Sequence, residues 1–445
     1  MLKFGRKRKG QIGAFILRAM LVSGFVASTF ISFDASHAHA ESLVQALQRT
    51  LATNPTINAE REKVLGVEET LNIAGANYRP SVTVNGDVTH QNSHSDFGPG
   101  GESDDTNTAR GYSVNINQPL YRGGRTVAAV SEADANIMAA RQALRNVVQN
   151  IFLEVATTYV AVVRDTAIRS LRSNNLRLLG EQLRATIDRQ EAGVVTITDV
   201  ALAQSRESAA KSELSLADAN LRTSRAEYIR LTGRSPSRLH YPVLGGKLPA
   251  GNMGVAINIG KNENPSILAA RYAEDAAKFA IDQVRGERLP QLSLEAGFDQ
   301  HWDPSQSVEE QRTANIRLRA SVPLYQGGAV LARIRQAQAR LRQSGLEISA
   351  ANARTRSQIV SSWEGMIAAR ARIRSAGEQI KAAQKALSGI RSEESVGQRT
   401  VLDVLDAEQE LLDAQVTAQQ ARGDHISTYY RLLTAMGRFH GGGRY

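Results

Sequence analysis

The chain has 445 residues, of which 22% are charged and 5% aromatic, and it contains no cysteine. The missing thiols exclude disulfides, zinc–thiolate clusters, a thiol nucleophile and a lipid anchor carried on cysteine. Of the formal +10 charge, a net +5 falls within the first forty residues, so the remainder is too weakly basic to indicate a nucleic-acid partner.

Residues 1–40 read as a secretory signal. A basic segment (Lys3 to Lys9) precedes an apolar run, Ile12 to Ile31, and Ala38-His39-Ala40 supplies a small-residue cleavage site before Glu41. Beyond it, the apolar residues are spaced as in amphipathic helices, and no stretch is expected to span a membrane as a helix.

Residues 41–233 form a first repeat. A helical tract broken at Asn54-Pro55 leads to a strand over 80–90, in which Val82, Val84 and Val88 alternate with polar residues. A polar loop (91–110) and a second alternating strand (111–119) follow. The strand exits through Pro119-Leu120-Tyr121-Arg122-Gly123-Gly124. Apolar steps of three and four then predict a long helix over 125–192 and a return helix over 199–233. A Pro- and Gly-rich stretch, 234–262, reads as a linker with little regular structure.

The pattern then recurs over 263–437. Asn264-Pro265 and Pro290 echo Asn54-Pro55 and Pro80 at a spacing of 210, and Pro323 to Gly328 echoes Pro119 to Gly124 at 204. The expected elements are strands 290–301 and 313–322 with a loop from Trp302 to Arg312, then helices 329–394 and 400–437. Residues 438–445 read as a loose tail. Trp302 suits an interfacial aromatic girdle.

Both long helices turn back at matched sites. Gly193 and Gly397 suit the left-handed position past a helix end. Thr196 with Asp199, and Thr400 with Asp403, have capping-box spacing. Asp406 lies one turn beyond Asp403 on the same helix face.

Amphipathic strands of about nine residues fit an outer-membrane barrel. Four of them cannot close one, and open edges are not tolerated in lipid. Two chains would supply eight strands and three would supply twelve, so the barrel must be shared. A secreted structural or adhesive coiled-coil protein is the alternative, but it leaves the four strands unexplained. The eight histidines form no metal-ligand pattern, no cofactor motif is present and no hydrolase motif occurs, so an enzyme is not expected.

The internal duplication, the paired Asn-Pro starts, the paired Pro-Leu-Tyr-x-Gly-Gly exits, and the turns Gly193 to Val200 and Gly397 to Asp406 together resemble the TolC family of outer-membrane channels. The resemblance implies a mixed α and β membrane protein: a homotrimer with a 12-stranded barrel in outer-membrane lipid, four strands per chain, continued by a periplasmic α-helical coiled-coil barrel. It implies export of small toxic compounds or of proteins by type I secretion, with a periplasmic adaptor and an inner-membrane transporter as partners. It implies a gate in which Arg399 pairs with Asp199 of a neighbouring coil, and a cation-selective constriction at Asp403 and Asp406. Family members often carry Tyr at the position of Glu394, so a charge pair is expected to replace that link. The turns at Gly193, Val194, Val396 and Gly397 match the family's adaptor contacts.

Overall fold

The computed structural model describes residues 41–96, 98–244, 250–305 and 307–440. The signal segment expected over 1–40 and the end of the tail lie outside the described residues.

Two short helices open the first repeat, α1 (Leu43–Thr53) and α2 (Pro55–Ala76), and join at Asn54. The Asn54 side chain accepts from the Thr56 N–H (3.0 Å) and donates to the Leu231 carbonyl (3.2 Å). It therefore caps one helix while fastening the end of another. Asn264 does the same in the second repeat, accepting from Ser266 N–H and donating to the Ala435 carbonyl, each at 2.9 Å.

Strands β1 (Ser81–Asp96), β2 (Glu102–Arg122), β3 (Gln291–Ser305) and β4 (Val308–Ser321) form one antiparallel sheet in that order. Their ladder places Val84 opposite Val114, Val114 opposite Phe298, and Leu294 opposite Leu318. One face is apolar. The other carries Asn85, Asp87, Asn115, Glu295 and Arg319, because side chains alternate with a period of two. Tyr112 lies 6.1 Å from Phe298 and 6.0 Å from Trp302, which gathers the aromatics at one level.

The strands are longer than expected. The segment 91–110 is not a loop but the upper part of the β1–β2 hairpin, with Gln91 opposite Asn107 and Asp96 opposite Glu102. Most of Trp302 to Arg312 is likewise ladder. Backbone pairing does not require an apolar face, so a strand continues past the point where its hydrophobic alternation stops.

Helix α3 (Arg125–Glu191) runs down and α4 (Ile197–Thr232) returns. In the second repeat α7 (Ala329–Ser395) and α8 (Val401–Ala435) do the same. At about 1.5 Å per residue, each 67-residue helix extends roughly 100 Å. The presumed linker holds α5 (Met253–Glu263), capped by Asn252. Ala256 of α5 joins Ile359, Trp363, Met366 and Leu432 in one apolar cluster, which stabilises a helix too short to persist alone. Helix α6 (Pro265–Arg285) follows and leads to β3.

By length and composition alone α3 is apolar enough to cross a membrane. Its apolar stretch is instead core. Phe152, Val155, Ala156 and Tyr159 are buried against Leu47, Ile57, Tyr228 and Leu231 where the short helices meet the long ones. This equatorial cluster supplies half of the largest fully buried side chains among the described residues. Below it the hairpins are held by thinner seams of Ala, Val and Leu.

Candidate functional site

The two helix tips concentrate the sequence-selected residues. At the first, Gly193 adopts φ 75° and the Val194 N–H donates to the Arg189 carbonyl at 2.9 Å. At the second, Gly397 adopts φ 78° and the Gln398 N–H donates to the Glu393 carbonyl at 2.9 Å. Such a left-handed residue is strained for any side chain with a Cβ, which explains glycine at both sites.

Each return helix starts on a complete capping box. The Thr196 hydroxyl accepts from the Asp199 N–H (3.3 Å), and an Asp199 oxygen accepts from the Thr196 N–H (2.9 Å). Thr400 and Asp403 repeat this at 3.2 and 2.9 Å. Hydrogen bonds from Thr196, first through its hydroxyl, hold Asp199 below the usual carboxylate range. The Thr400 backbone N–H is the largest cause of the same shift at Asp403. Both carboxylates are therefore charged at neutral pH, besides their work as caps.

The remaining charges are wired differently. Arg399 does not meet Asp199 within the chain. Its Nε lies 2.9 Å from Glu393, and Nη1 is 3.9 Å from Asp403. Glu394 accepts from Arg189 at 2.7 Å, an ion pair that joins the lower end of α7 to that of α3. Asp406 is met by Arg206 of α4 at 2.5 Å. Arg189, Arg206 and Glu393 were not singled out by the sequence. The available signal was the repeat itself: because 204 residues separate equivalent tip positions, residues about 200 apart are brought together.

Apolar contacts hold the two hairpins side by side. Val401 and Leu405 of α8 pack on Leu179 and Ala210 of the first hairpin. Outside this seam the tips expose Val194, Ile197 and Val396, each about 70% accessible or more. Glycine turns flanked by exposed β-branched residues give a surface with little side-chain entropy to lose on docking.

A family model described as outer membrane efflux protein matches residues 46–234 and 257–438. The chain is 32% identical to the outer membrane efflux protein BepC of Brucella suis, over 95% of this chain and 90% of that protein. It is 25% identical to the outer membrane protein TolC of Escherichia coli, over 95% and 85% of the two chains. The crystal structure of the outer membrane protein VceC from Vibrio cholerae aligns with a TM-score of 0.76 at 20% identity, covering 89% of this chain and 96% of that one.

Proposed function

Because the chain belongs to the outer membrane efflux protein family, we propose that three copies pool their four-stranded sheets into a twelve-stranded barrel and their helices into one periplasmic tunnel. The chain is an outer-membrane export channel with a periplasmic helical extension, and its relatives are channels rather than enzymes. The observation that carries the trimer is the sheet: an apolar face, a polar face, and unpaired edges at β1 and β4. An open edge in lipid leaves each unsatisfied backbone group several kcal/mol out of balance, which forces closure by other copies. Twelve strands leave an aqueous lumen, which an export duct needs, whereas eight are filled by side chains.

The tips form the closed end. Asp403 and Asp406 of three chains line the constriction as rings of negative charge that admit cations and repel anions. Arg399 and Asp199 fasten neighbouring coils, and within each chain Arg189 and Glu394 tie the two hairpins together. The exposed tip turns at Gly193, Val194, Val396 and Gly397 receive the helical hairpin of a periplasmic adaptor, which connects the duct to an inner-membrane transporter.

Planar-bilayer recording of the purified protein tests this reading. Wild-type pores are expected to be narrow and cation-selective, and Arg399→Ala or Asp199→Ala is expected to raise single-channel conductance several-fold. Conductance unmoved by either substitution would remove these residues from the gate. A protein that migrates as a monomer on unheated gels and forms no pores would end the channel assignment.

A further inference from the structure

We propose that the internal repeat fixes how β4 of one chain pairs with β1 of the next. The inference rests on the shared-barrel reading and adds a residue-by-residue register to it. Two offsets relate the repeats: 210 carries β1 onto β3, and 204 carries β2 onto β4. The two hairpins obey them. Ser81 faces Asn117 in the first, and Gln291 faces Ser321 in the second, which is the first pair displaced by 210 and 204. Asn92 opposite Thr106 maps in the same way onto Trp302 opposite Glu310.

One strand pair joins the two repeats inside the chain, β2 with β3. Applied to it, the same operation carries β2 onto β4 and β3 onto β1, and that second strand can only belong to another copy. Asn117 opposite Glu295 becomes Ser321 opposite Asn85 of the neighbour. Val114 opposite Phe298 becomes Leu318 opposite Val88. Asn115 opposite Gly297 becomes Arg319 opposite Asp87.

Three observations independent of the offsets agree with this register. It sets Leu318 against Val88 and Val322 against Val84, so the apolar face runs unbroken across the joint, whereas a slip of one residue would reverse it. It brings Arg319, already 2.9 Å from Glu295, opposite Asp87, giving an alternation of charge across the subunit boundary on the polar face. It also gives a partner to the exit of β4. In the first repeat Tyr121 and Arg122 stay in the ladder, opposite Leu292 and Gln291 beyond a bulge at Pro119. Their copies in the second repeat have no strand partner among the described residues, and Leu324 and Tyr325 stand 92% and 88% exposed. The operation places Tyr325 opposite Val82 of the neighbour, extending β4 through the exit.

The copy departs from symmetry where α6 meets the exit of β2. A Cβ on Gly286 would meet the Gly123 carbonyl oxygen at 2.5 Å, and its counterpart in the first repeat is Ala76. The helix below the joint therefore stands off there, while the ladder above it is set by strand backbone.

The cysteine-free chain makes the test direct. Full-length protein carrying S321C with N85C, T83C or D87C is oxidised in outer membranes with copper phenanthroline and run on denaturing gels. The N85C pair is expected to give inter-chain products at several-fold higher yield than either two-residue slip. Preferential linkage of T83C or D87C would overturn the register while leaving the shared barrel, and so would no linkage in a pore that still runs as a trimer unheated. Loss of the trimer in wild type would overturn both. Charge exchange gives a second readout. R319D and D87R are each expected to lower the temperature at which the trimer dissociates, and R319D/D87R together to restore it in part. No change in either single variant counts against the register.

Discussion

The two helix tips share a backbone and differ in charge. Gly193 and Gly397, Thr196 and Thr400, and Asp199 and Asp403 occupy equivalent places and make the same hydrogen bonds at distances that agree within about 0.1 Å. Around them the positions have diverged. Arg189 stands where the second tip has Glu393, Val195 where it has Arg399, and Leu202 where it has Asp406. Residues that shape the turn are held in common. Residues that set its charge are not, so only the second tip carries a carboxylate pair one turn apart, Asp403 and Asp406. Duplication provided the hairpin, and divergence provided its charge pattern.

The largest effect that would sharpen this contrast is in selectivity. Asp403→Asn with Asp406→Asn is expected to bring the cation-to-anion permeability ratio from well above one to near one, read as a collapse of the reversal potential in a salt gradient. Asp199→Asn is expected to leave that ratio nearly unchanged. If Asp199→Asn matched the double variant, the division of labour between the tips would be wrong.

Stability should show the opposite, with both tips responding alike. Gly193→Ala and Gly397→Ala each force a Cβ into the left-handed region and should cost about 1–2 kcal/mol locally. Thr196→Ala and Thr400→Ala each remove a cap worth about 1 kcal/mol. Hydrogen exchange of the first turns of α4 and α8 measures both, and a large asymmetry would break the claim of a common backbone.

Acid gives the smallest and most symmetric effect. The folded-state pKa of Asp199 and of Asp403 lies below the ordinary value. The capping contribution is thus complete above the unfolded pKa and is lost as pH falls through the folded one. Exchange at both tips is expected to be flat near neutrality and to rise together, after correction for intrinsic rates, only in strong acid. A rise at pH 6 to 7 would point to another titrating group.

Much of this was legible in the sequence, for identifiable reasons. Turn chemistry is local: glycine at the reversal and Thr-x-x-Asp after it require no knowledge of the fold. The strand alternation was equally plain where one face is apolar. It gave out at residue 91, where both faces become polar and pairing is carried by backbone alone. Helix α5 was hidden because Gly251 and Gly254 flank and interrupt a short segment whose helicity comes from packing on Ile359 and Trp363. The partners of Asp406 and Glu394 lie 200 and 205 residues away, beyond any local pattern.

The asparagine splices at Asn54 and Asn264 carry a mechanical consequence. Each grips the upper end of a return helix, Leu231 or Ala435, within the best-packed layer of the chain. From Ala435 down to Val401, α8 runs 35 residues, roughly 50 Å. A rod clamped at one end is a lever, and a tilt of about 5° at the collar would sweep its free end sideways by about 4 Å. Modest loosening at the equator would thus be magnified into a displacement of ångströms at the far end.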